Sequence, residues 1–390
     1  MNSNFDIEYP RRNSNSYKWD TPSDSDVLPM WVADMDFKTA PCIVDALRTR
    51  VEHGIFGYTY VPDEYYGSVV RWFKEKHDVE FLRDWFIYTS GVVPALSAVI
   101  KALTNPGDRV ITQTPAYNCF FSSIRNNGCE LVSNPLIYSD NRYFIDFDLL
   151  EQQSKDPGTK LLLLCNPHNP SGRVWTPEEL RRIGDICVAN GVIVVADEIH
   201  CELTYNGHNY TPYASLGEKY AAHSVTCNSP SKAFNIAGLQ IANIITPDKC
   251  LREKIDKAIN INEVCDVNPF GVAATIAAYT DGDRWLGALK DYIYGNYVTF
   301  RRLLSKMAPG LKVVDLEGTY LAWINIVATG LSSEEFTEGL LSSQKLMLNP
   351  GTMYGEGGEG FVRVNLAASR RRVVEAAERI ARFVVSSDKK

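Results

Sequence analysis

Between Leu161 and Asp197 the chain spells out one strand–helix–strand unit, and that unit limits the fold more than any other stretch. Five apolar residues, Leu161-Leu162-Leu163-Leu164-Cys165, give way to a polar turn. Thr176 then offers an N-cap hydroxyl, Pro177 suits the first helical position, and Glu179 stands at the third. The helix runs to Ala189 and stops at Asn190-Gly191, after which Val192 to Ala196 is again wholly apolar. Short apolar runs alternating with helices argue for a mostly parallel sheet wrapped by helices.

Trp85 to Thr89, Arg109 to Gln113 and Ser224 to Thr226 read as further strands, and a helix opens near Gly91 and runs through Leu103. The alternation predicts an α/β domain with a mostly parallel central sheet. After about Thr280 the texture changes. A long helical stretch, Trp285 to Met307, precedes strand-like Leu311 to Asp315 and Tyr320 to Ile326. A helix near Ser333 to Ser342 and a last strand and helix complete what reads as a smaller α+β domain. The expected division is an N-terminal segment over 1–40 that packs with the small domain, a large domain over 41–284, and the small domain over 285–390.

Composition narrows the function. A net charge of −7 with no basic run argues against nucleic acid as a partner. No apolar run approaches the roughly 20 residues that span a bilayer, and Met1 to Asp20 is polar, without a signal-peptide core. The nine cysteines are scattered and lack a C-x-x-C pair, which points to a reducing, cytoplasmic setting. The six histidines are isolated, so no metal site is expected.

In open α/β sheets, ligands gather at the carboxyl ends of the strands. Those ends carry Ser90-Gly91-Val92-Val93, Asn166-Pro167-His168-Asn169-Pro170-Ser171-Gly172, Asp197-Glu198-Ile199-His200 and Ser229-Pro230-Ser231-Lys232. Lys232 has small or apolar neighbours, which favour the neutral, nucleophilic amine; alone, the run reads equally as a Ser-Pro surface turn with a solvated lysine. Asp197 follows five apolar residues, so it is either a helix cap or a buried partner for a cation. Ser90-Gly91 opens a helix after a strand, the geometry that holds a phosphate on backbone N–H groups, though such turns are common. Asn169 lies in a proline-braced turn that either aims its amide or is an ordinary loop.

Taken in order, N-P-x-N-P-x-G, then D-E at a strand end, then S-x-S-K resemble the pyridoxal-phosphate enzymes of the aspartate aminotransferase fold (fold type I, class I/II aminotransferases). The resemblance spans nearly the whole chain. It implies that Lys232 forms the Schiff base with pyridoxal phosphate, that Asp197 pairs with the pyridinium nitrogen, and that Asn169 bonds the phenolic oxygen. It further implies that Tyr117 stacks on the ring, that Gly91, Val92, Ser229 and Ser231 hold the phosphate, and that Arg363 grips the substrate carboxylate. Two positions depart from the wider pattern: His200 stands where a tyrosine is common, and Gln240 where an arginine usually neutralises the phosphate.

Both departures fit one subgroup. The runs Leu28 to Phe37, His53 to Tyr58 and Ser231 to Gln240 are similar to the bacterial cystathionine β-lyase-type C–S lyases of the MalY/PatB group. That resemblance implies a homodimer in which Tyr58 reaches the neighbouring subunit's cofactor phosphate, and it places His200 and Asp34 at the cofactor and substrate. The implied reaction is α,β-elimination on L-cystathionine or another S-substituted L-cysteine, with Lys232 as base and Lys232, Tyr117 or Tyr58 as proton donor to the thiolate. The alternatives are an aminotransferase on the same site and a non-catalytic regulatory protein on the same fold.

Overall fold

The computed structural model describes residues 4–205, 207–263 and 267–387; the outermost residues of the first and last expected segments, and 206 and 264–266 of the large one, lie outside them. Seven strands form the main sheet: β1 (Phe86–Thr89), β2 (Arg109–Thr114), β3 (Glu130–Pro135), β4 (Thr159–Cys165), β5 (Ile193–Asp197), β6 (Ser224–Asn228) and β7 (Ala242–Ile245). Their order is β1-β7-β6-β5-β4-β2-β3. The β6-β5-β4-β2-β3 run is parallel throughout, and only β7 lies antiparallel to its neighbours. The expected α/β class is borne out.

The unbroken apolar runs have a direct cause. Successive strand residues point to opposite faces, and here both faces are covered. Leu161, Leu163 and Val195 join one core cluster, while Leu162, Leu164, Val194 and Ala196 join another on the other side. A sheet buried on both faces needs no polar alternation. The crossover helix Pro177–Ala189 carries the full capping box of Thr176 and Glu179, and Gly191 turns the chain back at a φ of +67°, a conformation that favours glycine.

Two strands of the main sheet escaped the sequence reading. Glu130–Pro135 contains Ser133, Asn134 and Pro135 because it is the sheet edge, where burial is partial. Ala242–Ile245 is only four residues long and includes Asn243, a polar group satisfied inside the core by Tyr65 and Asn228.

A second, antiparallel sheet has the order β8-β9-β11-β10, from β8 (Lys312–Val313), β9 (Leu321–Asn325), β10 (Asn349–Pro350) and β11 (Phe361–Asn365). Helices Asp283–Met307 and Arg370–Ser387 pack on each other beside it. The N-terminal segment is fastened to this layer. Leu28–Pro29 pairs in parallel with Leu346–Met347, and the Asn365 N–H donates to the Met30 carbonyl at 2.8 Å. Lys18, fully buried, is bonded to Asp36 at 3.1 Å, and Arg11 and Arg372 close on the same carboxylate. Buried charges persist only when paired in this way.

Candidate active site

The carboxyl ends of β4, β5 and β6 and the start of helix Val92–Leu103 surround a cavity of about 290 Å³, close to the lower end of the range for small-molecule sites. Gly91, Val92, Tyr117, Asn169, Asp197, His200, Ser231 and Lys232 all line it. Residues from five separate stretches of the chain therefore converge.

Lys232 lies in a tight turn after β6. The Phe234 N–H donates to the Pro230 carbonyl and the Ile236 N–H to the Ser231 carbonyl. Ser229 is committed within that turn: its hydroxyl donates to the Ile241 carbonyl at 2.5 Å and accepts the Ser231 N–H at 3.1 Å. It does not line the cavity, whereas Ser231 does. The Lys232 amine donates to the Ala33 carbonyl at 2.7 Å. Burial, helped by the Arg363 charge, lowers the amine to about 8 against the pull of Asp34, Asp197 and Cys119. On the order of a tenth of it is then neutral near pH 7.

Asp197 closes β5 and is buried. Its carboxylate accepts the Ile199 N–H at 3.1 Å. Burial raises the group to about 7, opposed by that N–H and by Lys232. Asn166 N–H donates to the Asp197 carbonyl at 3.0 Å, so the β4 turn and the β5 end are tied together. Within the turn, His168 and Ser171 are bonded at 2.8 Å. Asn169 projects from this brace and accepts from the Arg363 guanidinium at 3.1 Å.

Arg363, at the middle of β11, is buried and also donates to the Trp31 carbonyl at 2.8 Å, while its Nε has no partner. His200 is likewise buried with Nδ1 unpartnered. Burial, with the charges of Lys232 and Arg363, holds its ring well below the usual histidine range and so neutral. Tyr117 stands before helix Asn118–Asn126, and burial pushes its phenol up.

Four predicted residues do not line the cavity: Ser229, Arg363, Asp34 and Tyr58. Asp34 is paired with Arg11 at 2.6 Å and Lys18 at 3.6 Å, and it reaches the site only as a charge acting on Lys232. Tyr58 is 97% exposed and lies on the surface of its own chain. Two contributors were missed, Ala33 and Tyr320, whose hydroxyl donates to the Ala33 carbonyl at 2.9 Å. A backbone oxygen has no side-chain signature, and a tyrosine opening an apolar strand reads as core.

No metal cluster was expected, yet the fold brings ligand atoms of His77, Cys201 and Glu202 within 4.8 Å of one another. These residues form a hydrogen-bonded knot. Glu202 accepts the Trp72 indole N–H at 2.7 Å and lies 2.9 Å from His77 Nε2.

The chain resembles known proteins along nearly all of its length. The aminotransferase class I and II profile matches residues 25–380. Cystathionine beta-lyase PatB of Bacillus subtilis is 42% identical, over 97% of this chain and 98% of the relative. Protein MalY of Escherichia coli is 32% identical, over 91% and 92%. Cystalysin from Treponema denticola, whose structure contains a pyridoxal 5′-phosphate cofactor, superposes with a TM-score of 0.96 at 34% identity, covering all of both chains. The motif resemblance is thereby borne out, and the chain belongs to the aminotransferase class I and II family.

Proposed function

We propose that this chain is a pyridoxal-phosphate-dependent C–S lyase that carries out α,β-elimination on L-cystathionine or a related S-substituted L-cysteine, releasing a thiol, pyruvate and ammonia. One observation carries the cofactor: Lys232, whose amine burial lowers to about 8, shares a cavity with the buried carboxylate of Asp197, which makes no ion pair among the described residues. The relatives named as cystathionine beta-lyase support the reaction.

The residues fit pyridoxal phosphate. Lys232 would meet its aldehyde, Asp197 would gain a cation in the protonated ring nitrogen, and the helix start at Gly91 and Val92 with the Ser231 hydroxyl would suit the phosphate. Bound there, the cofactor supplies an electron sink for the charge left when Cα loses its proton. Lys232, with its amine free, would take that proton at its neutral Nζ. Arg363 binds the α-carboxylate through its fork, already held by Asn169 and the Trp31 carbonyl. Asn169 and the neutral His200, both lining the cavity, would hold the phenolic edge of the ring. Tyr117 would cover the ring face and, protonated through burial, would pass a proton to the departing thiolate. Asp34 keeps the substrate-side segment in place through Arg11 and Lys18. Thiolate leaves, and the remaining enamine hydrolyses to pyruvate and ammonia.

We further propose a cytoplasmic homodimer in which Tyr58 of the partner subunit reaches the cofactor phosphate. Ile55, Phe56, Tyr58 and Tyr60 are all exposed in one short stretch, and such apolar patches mark interaction surfaces. The eight described cysteines are free, and no described helix is long and apolar enough to cross a membrane.

Thiol and pyruvate release from L-cystathionine, read beside 2-oxoglutarate-dependent amino transfer, tests the reaction. Equimolar thiol and pyruvate are expected. Amino transfer without thiol release overturns the lyase reading in favour of an aminotransferase.

A further inference from the structure

The hydrogen bond that Lys232 makes is to a backbone oxygen rather than to any group the elimination consumes. Its Nζ donates to the Ala33 carbonyl at 2.7 Å, and the Tyr320 hydroxyl donates to the same oxygen at 2.9 Å. Ala33 belongs to a strap whose carbonyls are clamped in succession. Arg363 and Asn349 hold Trp31, and Asn365 holds both Val32 and Asp34. These clamps come from the small sheet; Lys232 reaches the strap from the large one.

Tyr320 precedes β9, is 1% exposed, and has its ring edge-on to His200 at a centroid distance of 5.9 Å. Burial keeps its hydroxyl protonated, so it is a fixed donor. A carbonyl oxygen has two lone pairs. Tyr320 and Lys232 can therefore both donate to the Ala33 oxygen at once, at 2.9 and 2.7 Å.

We propose that Tyr320 is a positioning residue for Lys232, fixing the Ala33 carbonyl as the place where the amine rests whenever it is not bonded to the cofactor. This rests on the role given to Lys232 above. An oxygen already accepting one hydrogen bond is a poorer acceptor for an ammonium, so the arrangement favours the neutral amine. The strap also ties that resting place to Arg363 through the Trp31 carbonyl, two residues away. Arg363, Asp34, Asp197 and Cys119 face Lys232, and Asp34, Arg363, Tyr205, Tyr117 and the His200 ring face Tyr320. Tyr320→Phe leaves all of them in place.

The test uses apoprotein prepared from the full-length holoenzyme, mixed with pyridoxal phosphate and followed by its visible band across pH. Tyr320→Phe should capture the cofactor about 2- to 10-fold more slowly near neutral pH, the equivalent of one hydrogen bond, with the pH midpoint of capture moved upward. Asn349→Ala loosens the same strap at Trp31 and should leave the midpoint where it is. Wild-type behaviour of Tyr320→Phe overturns the proposal, as does an equal midpoint shift in both variants, which marks a purely structural role. An isotopic label on the Ala33 carbonyl gives a readout that needs no variant: its resonance should move when the cofactor draws Lys232 away, and an unmoved resonance counts against the proposal. Wild-type apoprotein that captures no cofactor overturns this inference and the proposed function together, whereas normal wild-type capture unaffected by Tyr320→Phe overturns this inference alone.

Discussion

The Arg363 guanidinium donates to the Asn169 side-chain oxygen at 3.1 Å, joining the small sheet to the end of a central strand through two side chains. The same guanidinium lies over the Tyr354 ring at 5.0 Å. This fixed fork makes substitution by lysine a severe change even though the charge is kept. Arg363→Lys should lower kcat/KM roughly 10- to 100-fold, mostly through KM, as expected for a lost charge-assisted pair. Steady-state kinetics on L-cystathionine measure this, and an unchanged KM would remove Arg363 from the carboxylate site.

Asp197 and Glu198 are both raised to about 7 by burial. An acid whose carboxyl is raised on folding holds its proton more tightly in the folded state. Its stabilising contribution is full below about pH 4 and declines as pH rises through about 7. Denaturant unfolding of the apoprotein should show that decline, and Asp197→Asn should flatten it by on the order of 2–4 kcal/mol. Pyridoxal phosphate should flatten it as well, by giving Asp197 a cation. An unaltered slope in Asp197→Asn would assign the whole effect to Glu198.

Tyr58 and Lys232 serve different chains in the proposed dimer. Lys232→Ala and Tyr58→Ala homodimers should each be strongly impaired, the first with no covalently held cofactor band. After mixing and subunit exchange, thiol release should recover, because one site of each heterodimer is then intact. No recovery, with exchange demonstrated by a tag, would place Tyr58 outside the partner's site.

Asp36 sits among Lys18, Trp19, Arg372 and Arg11, whose charges and indole N–H outweigh the burial that would raise its carboxyl and hold it below the usual range. A lowered carboxyl stabilises the fold above its unfolded titration, near pH 4, and that stability is lost as pH falls through the folded value. Asp36→Asn strips a fully buried lysine of its closest partner and should cost about 3–5 kcal/mol near neutral pH. Equilibrium unfolding gives the value, and a loss below about 1 kcal/mol would show that Asp34 alone suffices for Lys18.

Much of this molecule is readable locally. The capping box at Thr176 and Glu179 appears as expected because a cap is made between residues three apart. The five strands read from apolar runs are present because burial of both faces leaves no polar alternation. The strand-end rule then carried Asn169, Asp197 and Lys232 into one cavity. Edge strand β3 and short β7 were missed because their composition answers to position in the sheet, which no window of neighbouring residues records.

By itself, then, the sequence determined the α/β class, the strand ends and the side chains gathered there, since those follow from periodicity, caps and burial among near neighbours. Tertiary structure alone decided that Lys232 rests on the Ala33 carbonyl, that Tyr320 shares that oxygen, that Asp34 is taken up by Arg11, and that Ser229 holds its own turn. The physical reason is that acceptors on a backbone are the same at every residue. Only the packing of one sheet against another selects which of them a buried amine will meet.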